Sequence, residues 1–148
     1  MKPSVTLLLT GVLAVAAGSA RALEYVSVAT GPAILYDAPS TKAKKLFVLR
    51  RYMPLEQVVN LGGWVKVRDS SGSLTWIEKS ALSSQRYVLV TVPLADVHQA
   101  AEVSAPVVFQ ARQQVALEWL ESTGTGWIKV RLQDGVTGYV GKLDVWGD

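Results

Sequence analysis

The segment Gly63-Trp64-Val65-Lys66-Val67-Arg68 recurs as Gly126-Trp127-Ile128-Lys129-Val130-Arg131, displaced by 63 residues and identical at five of six positions. An internal repeat decides the architecture before any local propensity is consulted. The match extends outward in both directions. Trp76-Ile77-Glu78-Lys79 meets Tyr139-Val140-Gly141-Lys142 at the same offset. Upstream the offset falls to 62: Tyr25-Val26 meets Tyr87-Val88, and Leu35, Phe47 and Leu55 meet Val97, Phe109 and Leu117. One residue is therefore inserted in the turn before Trp127, and the duplication covers nearly all of the chain beyond residue 22.

Each copy reads as β-structure. Val65 and Val67 alternate with Trp64, Lys66 and Arg68, the period of a half-buried strand. Gly62-Gly63 before this strand, Asp69-Ser70-Ser71-Gly72 after it and Gln133-Asp134-Gly135 in the second copy are hairpin signals. The predicted strands of the first copy are 25–29, 33–36, 46–49, 55–60, 64–68 and 74–77, and their short, even spacing predicts a small closed barrel. The domains expected are 23–83 and 86–148. A unit of this size buries only about 60 % of its unfolded surface, and the chain has no cysteine to form a disulfide. The connector Ser83-Ser84-Gln85 is short, so the two copies are expected to pack on one another, with Trp119 a candidate for that contact.

Residues 1–22 are read separately. An early Lys2, an apolar run from Val5 to Gly18 and the small-residue ending Ala20-Arg21-Ala22 form the pattern of a secretory signal peptide cleaved after Ala22. The competing reading is a membrane anchor, but the run is shorter than the roughly 18 to 20 residues a spanning helix needs. The expectation is an exported protein, periplasmic or secreted, with no stable membrane anchor after cleavage. Without a cysteine it has neither a lipidation site nor a thiolate. Residues 23–148 carry thirteen basic and twelve acidic side chains, too even a balance for a nucleic-acid binder.

The Gly-Trp-x-Lys-Val-Arg strands, the polar turn that follows each, and then Trp76-Ile77 or Gly138-Tyr139-Val140 resemble the bacterial SH3-like domains found as tandem repeats in exported proteins. Ala33-Ile34-Leu35-Tyr36-Asp37-Ala38-Pro39 is similar to that family's opening strand and loop. The resemblance implies an all-β chain of two tandem SH3-like small β-barrels after the signal peptide, and modules that bind cell-wall peptides or proteins. In the related domains that hold proline-rich peptides, aromatics at the places of Tyr36 and Trp64 form the groove. The proline and tyrosine of that groove's last turn are replaced here by Glu78 and Ala81, and in the second copy by Gly141 and Asp144, so a groove for proline-rich peptides is incomplete. The second copy also has His98 at the place of Tyr36.

The candidate ligand site is thus Tyr36, Trp64, Lys66, Arg68 and Trp76 in the first copy, where aromatic area flanked by cations suits a ligand bearing carboxylates. Residues 23–85 hold eight basic and five acidic residues, and residues 86–148 five and seven, which makes the first copy the anion-facing half. The competing reading of these residues is a tryptophan covering a barrel end beside solvated cations.

Catalysis is not expected. His98, the sole histidine, has Asp96 two residues before it, which suggests an orienting carboxylate, yet no nucleophile is identified and a partly exposed strand histidine is the simpler reading. One histidine without cysteine cannot build a usual zinc site, so neither metal nor cofactor is expected. Gly124-Thr125-Gly126 lacks the strand-to-helix context of a phosphate loop and reads as a hairpin. The function predicted is a noncatalytic envelope module recognising peptide, wall stem peptide or a partner protein; the alternative is a structural or assembly protein that packs on another envelope protein through an apolar surface around Trp119 and Trp146.

Overall fold

The structure is a computed structural model that describes residues 22–148. The segment expected to be cleaved, apart from Ala22, lies outside the described residues. The chain is all-β, in two seven-stranded antiparallel sheets. The first contains β1 (Glu24–Val28), β2 (Ala33–Tyr36), β3 (Lys45–Leu49), β4 (Pro54–Leu61), β5 (Trp64–Arg68), β6 (Leu74–Glu78) and β7 (Leu82–Ser83), with a 3-10 turn at Lys79–Ala81. The second contains β8 (Tyr87–Val90), β9 (Leu94–His98), β10 (Val107–Arg112), β11 (Ala116–Ser122), β12 (Trp127–Arg131), β13 (Thr137–Gly141) and β14 (Val145–Trp146), with a 3-10 turn at Lys142–Asp144. The strand orders are β3-β2-β6-β5-β4-β1-β7 and β10-β9-β13-β12-β11-β8-β14. Each strand of the second order follows its counterpart by seven, so the sequence duplication is a duplication of topology. The predicted strands agree with those observed to within one residue at each end; β7 and the 3-10 turn before it were not predicted.

Alternation sets the register. Val65, Val67, Ile128 and Val130 are 0 % exposed, and a one-residue slip would carry all four to the outer face. Each sheet has its own core: Val28, Leu35, Leu55 and Ile77 surround the first pair, and Val88, Val97, Leu117 and Val140 the second. The hairpin between β4 and β5 pairs Leu61 with Trp64 and turns through Gly62-Gly63, where Gly62 has φ +60, a value that glycine adopts without steric cost. In the second copy the backbone N–H of Thr123 bonds the Trp127 carbonyl at 3.0 Å, leaving three residues in the turn. The inserted residue is located there.

The two copies pack on each other, as the short connector requires. Ser27 Oγ donates to the Gln85 carbonyl at 2.6 Å. Tyr52 stacks on Tyr87 with ring centroids 4.7 Å apart. Arg86 lies over the Trp119 ring at 4.0 Å and over Tyr25 at 5.5 Å, and donates to the Gly147 carbonyl at 2.8 Å. Tyr25 in turn meets Trp146 edge-to-face at 5.3 Å. Trp119 does join the contact, reaching it through Arg86.

Candidate functional site

The β2-β6-β5 order brings the sequence-predicted aromatics together. Tyr36 is opposite Trp76, and Trp76 opposite Lys66. Opposed residues of neighbouring strands point to the same face, so these three side chains form a row across the sheet. Trp64, two residues before Lys66, shares that face and meets Tyr36 edge-to-face, centroids 5.3 Å apart and planes at 86°. Lys66 Nζ lies 5.8 Å from the centroid of the Trp76 ring. Tyr36 is buried while Trp64 and Trp76 are half-buried: Tyr36 forms the floor and the tryptophans form the accessible surface.

Two shallow hollows flank this cluster. One, of about 250 Å³, runs past Thr30, Pro32, Ile34 and Tyr36. The other, of about 440 Å³, runs past Pro39, Thr41, Gly63 and Trp64. Glu78 and Ser80 line both. These two residues were absent from the sequence-predicted set, although the register held a signal: Glu78 follows Trp76 by two residues on one strand and is opposite Trp64.

Arg68 is set apart from the cluster. It is opposite Glu56 in the register, and its guanidinium donates to both Glu56 carboxylate oxygens at 3.0 and 2.8 Å. Glu56 is buried, so the pair neutralises a carboxylate that would otherwise be costly to bury. Arg131 repeats the arrangement with Glu118, donating to both oxygens at 2.8 Å. The Arg131 hydrogen bond draws the Glu118 carboxyl below its ordinary value, against burial, with Gln85 adding a second donor. Of the two cations predicted for the first-copy site, Lys66 is the one without a carboxylate partner among the described residues.

The second copy repeats the aromatic geometry. His98 meets Trp127 edge-to-face at 5.4 Å, it is opposite Tyr139, and Lys129 Nζ lies 5.9 Å from the Tyr139 ring centroid. His98 is buried at 9 % exposure, which corrects the expectation of a partly exposed ring: the residue occupies the floor position of Tyr36. Nor does Asp96 orient it. His98 Nδ1 bonds the Ala105 carbonyl at 2.9 Å, whereas Asp96 accepts from Gln110 at 2.7 Å. Among the described residues no group of three or more histidine, aspartate or glutamate side chains is placed to hold a metal ion.

A bacterial SH3 domain family model matches residues 29–84, and a second bacterial SH3 domain model matches residues 94–145. The chain carries two bacterial SH3 domains in tandem. The aromatic cluster therefore lies once in each SH3 domain. No curated protein matches the chain. Among solved structures it is similar to NlpC2 and NlpC1 from Trichomonas vaginalis, at 13 % and 15 % identity over 88 % and 95 % of this chain, both with a TM-score of 0.38. It is similar also to an NlpC/P60 family protein from Bacillus cereus, at 17 % identity over 82 % of this chain and a TM-score of 0.36. The chain spans about half the length of each of them, 50 %, 51 % and 55 % respectively.

Proposed function

We propose that this chain is an exported, noncatalytic binding module of the cell envelope that recognises a peptide, wall stem peptide or partner protein through its first SH3 domain. The observation that carries this reading is the Tyr36–Trp64 pair, with Trp76 beside it and hollows on either side that share Glu78 and Ser80. Half-buried tryptophans over a fixed floor supply contact area at little entropic cost, and Lys66 adds a cation without an internal carboxylate partner. The tandem bacterial SH3 domains support a binding role of this kind. The alternative, a structural protein docking through Trp119 and Trp146, is weakened because both side chains already pack in the junction between the domains.

The test is a pull-down of residues 23–148 with isolated wall material and with envelope extract, followed by titration of the retained component. Loss of an aromatic anchor typically costs at least about 2 kcal/mol of binding, close to thirtyfold in affinity. Trp64→Ala, shown to be folded, should weaken binding by about that factor. Unchanged affinity in the folded variant would remove the first-domain groove as the site.

A further inference from the structure

The second SH3 domain differs from the first in the chemistry around its aromatic floor. A hollow of about 410 Å³ lies over Trp127 and His98. Its apolar rim is Leu94, Val103 and Leu143, which are 49 %, 81 % and 94 % exposed. Three large apolar side chains held this far into water around one hollow are a recognisable ligand-facing feature. Asp96 and Asp144 also line it. The corresponding places in the first domain are Ile34, for Asp96, and Ala81, for Asp144.

Three side chains lining this hollow, Asp96, Asp144 and His98, bring acceptor atoms to it. Asp96 uses one carboxylate oxygen on Gln110 and keeps the other. The Asp144 carboxylate has no hydrogen-bond or ion-pair partner among the described residues; only its backbone carbonyl is engaged, by Thr91. His98 is nine-tenths buried, and because a carbonyl can only accept, its Nδ1 must carry the proton donated to Ala105. In the uncharged ring Nε2 then presents a lone pair. That atom has no protein partner and is not sealed from the solvent of the hollow. Lys142, the one cation lining the hollow, is engaged by Asp148 at 2.8 Å.

We propose that this hollow is a second binding site, independent of the first-domain site, and that it takes a primary alkylammonium group on an aliphatic stem, as on a lysyl or other diamino-acid side chain. An ammonium has three N–H donors and no acceptor, which matches two carboxylates and the imidazole lone pair. Its methylene stem lies along Leu94, Val103 and Leu143, and Trp127 adds aromatic surface that attracts a cation. A ligand carboxylate would be repelled by Asp96 and Asp144.

Nα-acetyl-lysine methylamide, its Nε-acetylated form, the norleucine analogue and 1,5-diaminopentane can be titrated into 15N-labelled residues 23–148. The lysine amide should shift the Trp127 indole and the Leu143 amide with a dissociation constant of about 1 mM, the scale for a ligand of this size. The Nε-acetylated and norleucine analogues should bind at least about tenfold more weakly, as should the lysine amide to Asp144→Asn and Asp96→Asn with otherwise native spectra. Diaminopentane binding as tightly as the lysine amide would make a free diamine the ligand source, and weaker binding would assign it to polypeptide or wall peptide. The proposal is overturned if the lysine amide leaves Trp127 unshifted, if the acetylated form binds equally, or if both folded asparagine variants bind normally. None of these outcomes bears on Trp64.

Discussion

Gly138, on β13 between Val97 and the backbone of His98, is a sharp test of the second-domain packing. A Cβ at this position would be 2.6 Å from Val97 Cγ1 and 2.9 Å from the His98 carbonyl oxygen. Val97 is fully buried, and the carbonyl belongs to a paired strand, so β9 itself must shift. Overpacking of this kind costs about 1–3 kcal/mol. The loss of unfolded-state freedom on Gly→Ala offsets about 0.4–1 kcal/mol of it. Gly138→Ala should therefore destabilise the protein by about 1–2 kcal/mol, a fall in Tm of about 3–12 °C for two domains of this size unfolding together. Thr75 is the corresponding residue of the first domain; its buried Oγ1 has no hydrogen-bond partner, so Thr75→Val should cost nothing. Thermal unfolding followed by near-UV circular dichroism measures both, and an unchanged or higher Tm in Gly138→Ala would show that the β9–β13 approach is wrong.

Arg68→Ala should lower stability by about 1–3 kcal/mol, because it strands the buried Glu56 carboxylate, whereas Lys66→Ala should change urea stability little; the reverse ranking would place Arg68 in the ligand site. Arg86→Leu removes the stack on Trp119 and the bond to Gly147 and should cost about 2 kcal/mol or more, with the two domains then melting separately in calorimetry; one unchanged transition would refute the junction. Arg131 holds Glu118 below its ordinary carboxyl value of 4.5, so this pair stabilises the folded state above that pH and its contribution disappears as pH falls through the lower folded-state value. Glu118→Gln should flatten the acid limb of a stability-against-pH curve below about 4.5 and leave its alkaline limb unchanged; an unaltered acid limb would contradict the assignment.

Residue order alone determined the duplication, the boundaries of β1 to β6 and the buried valines, because a period of two and turn-forming residues are local properties that survive whatever the sheet packs against. The pairing of Tyr36 with Trp64 was legible only through family resemblance, since those residues are far apart in the chain and meet because β6 lies between their strands. Tertiary structure decided how each charge is used. Lys66 and Arg68 look equivalent on alternating positions of β5, but the register places a buried carboxylate opposite Arg68 and an aromatic ring opposite Lys66. His98 looked like a partly exposed strand residue because alternation predicts facing but not depth. It is buried because the loop carrying Ala105 and the ring of Trp127 close over it, and that long-range enclosure is what leaves one ring nitrogen facing a hollow whose carboxylates, Asp96 and Asp144, come from separate elements.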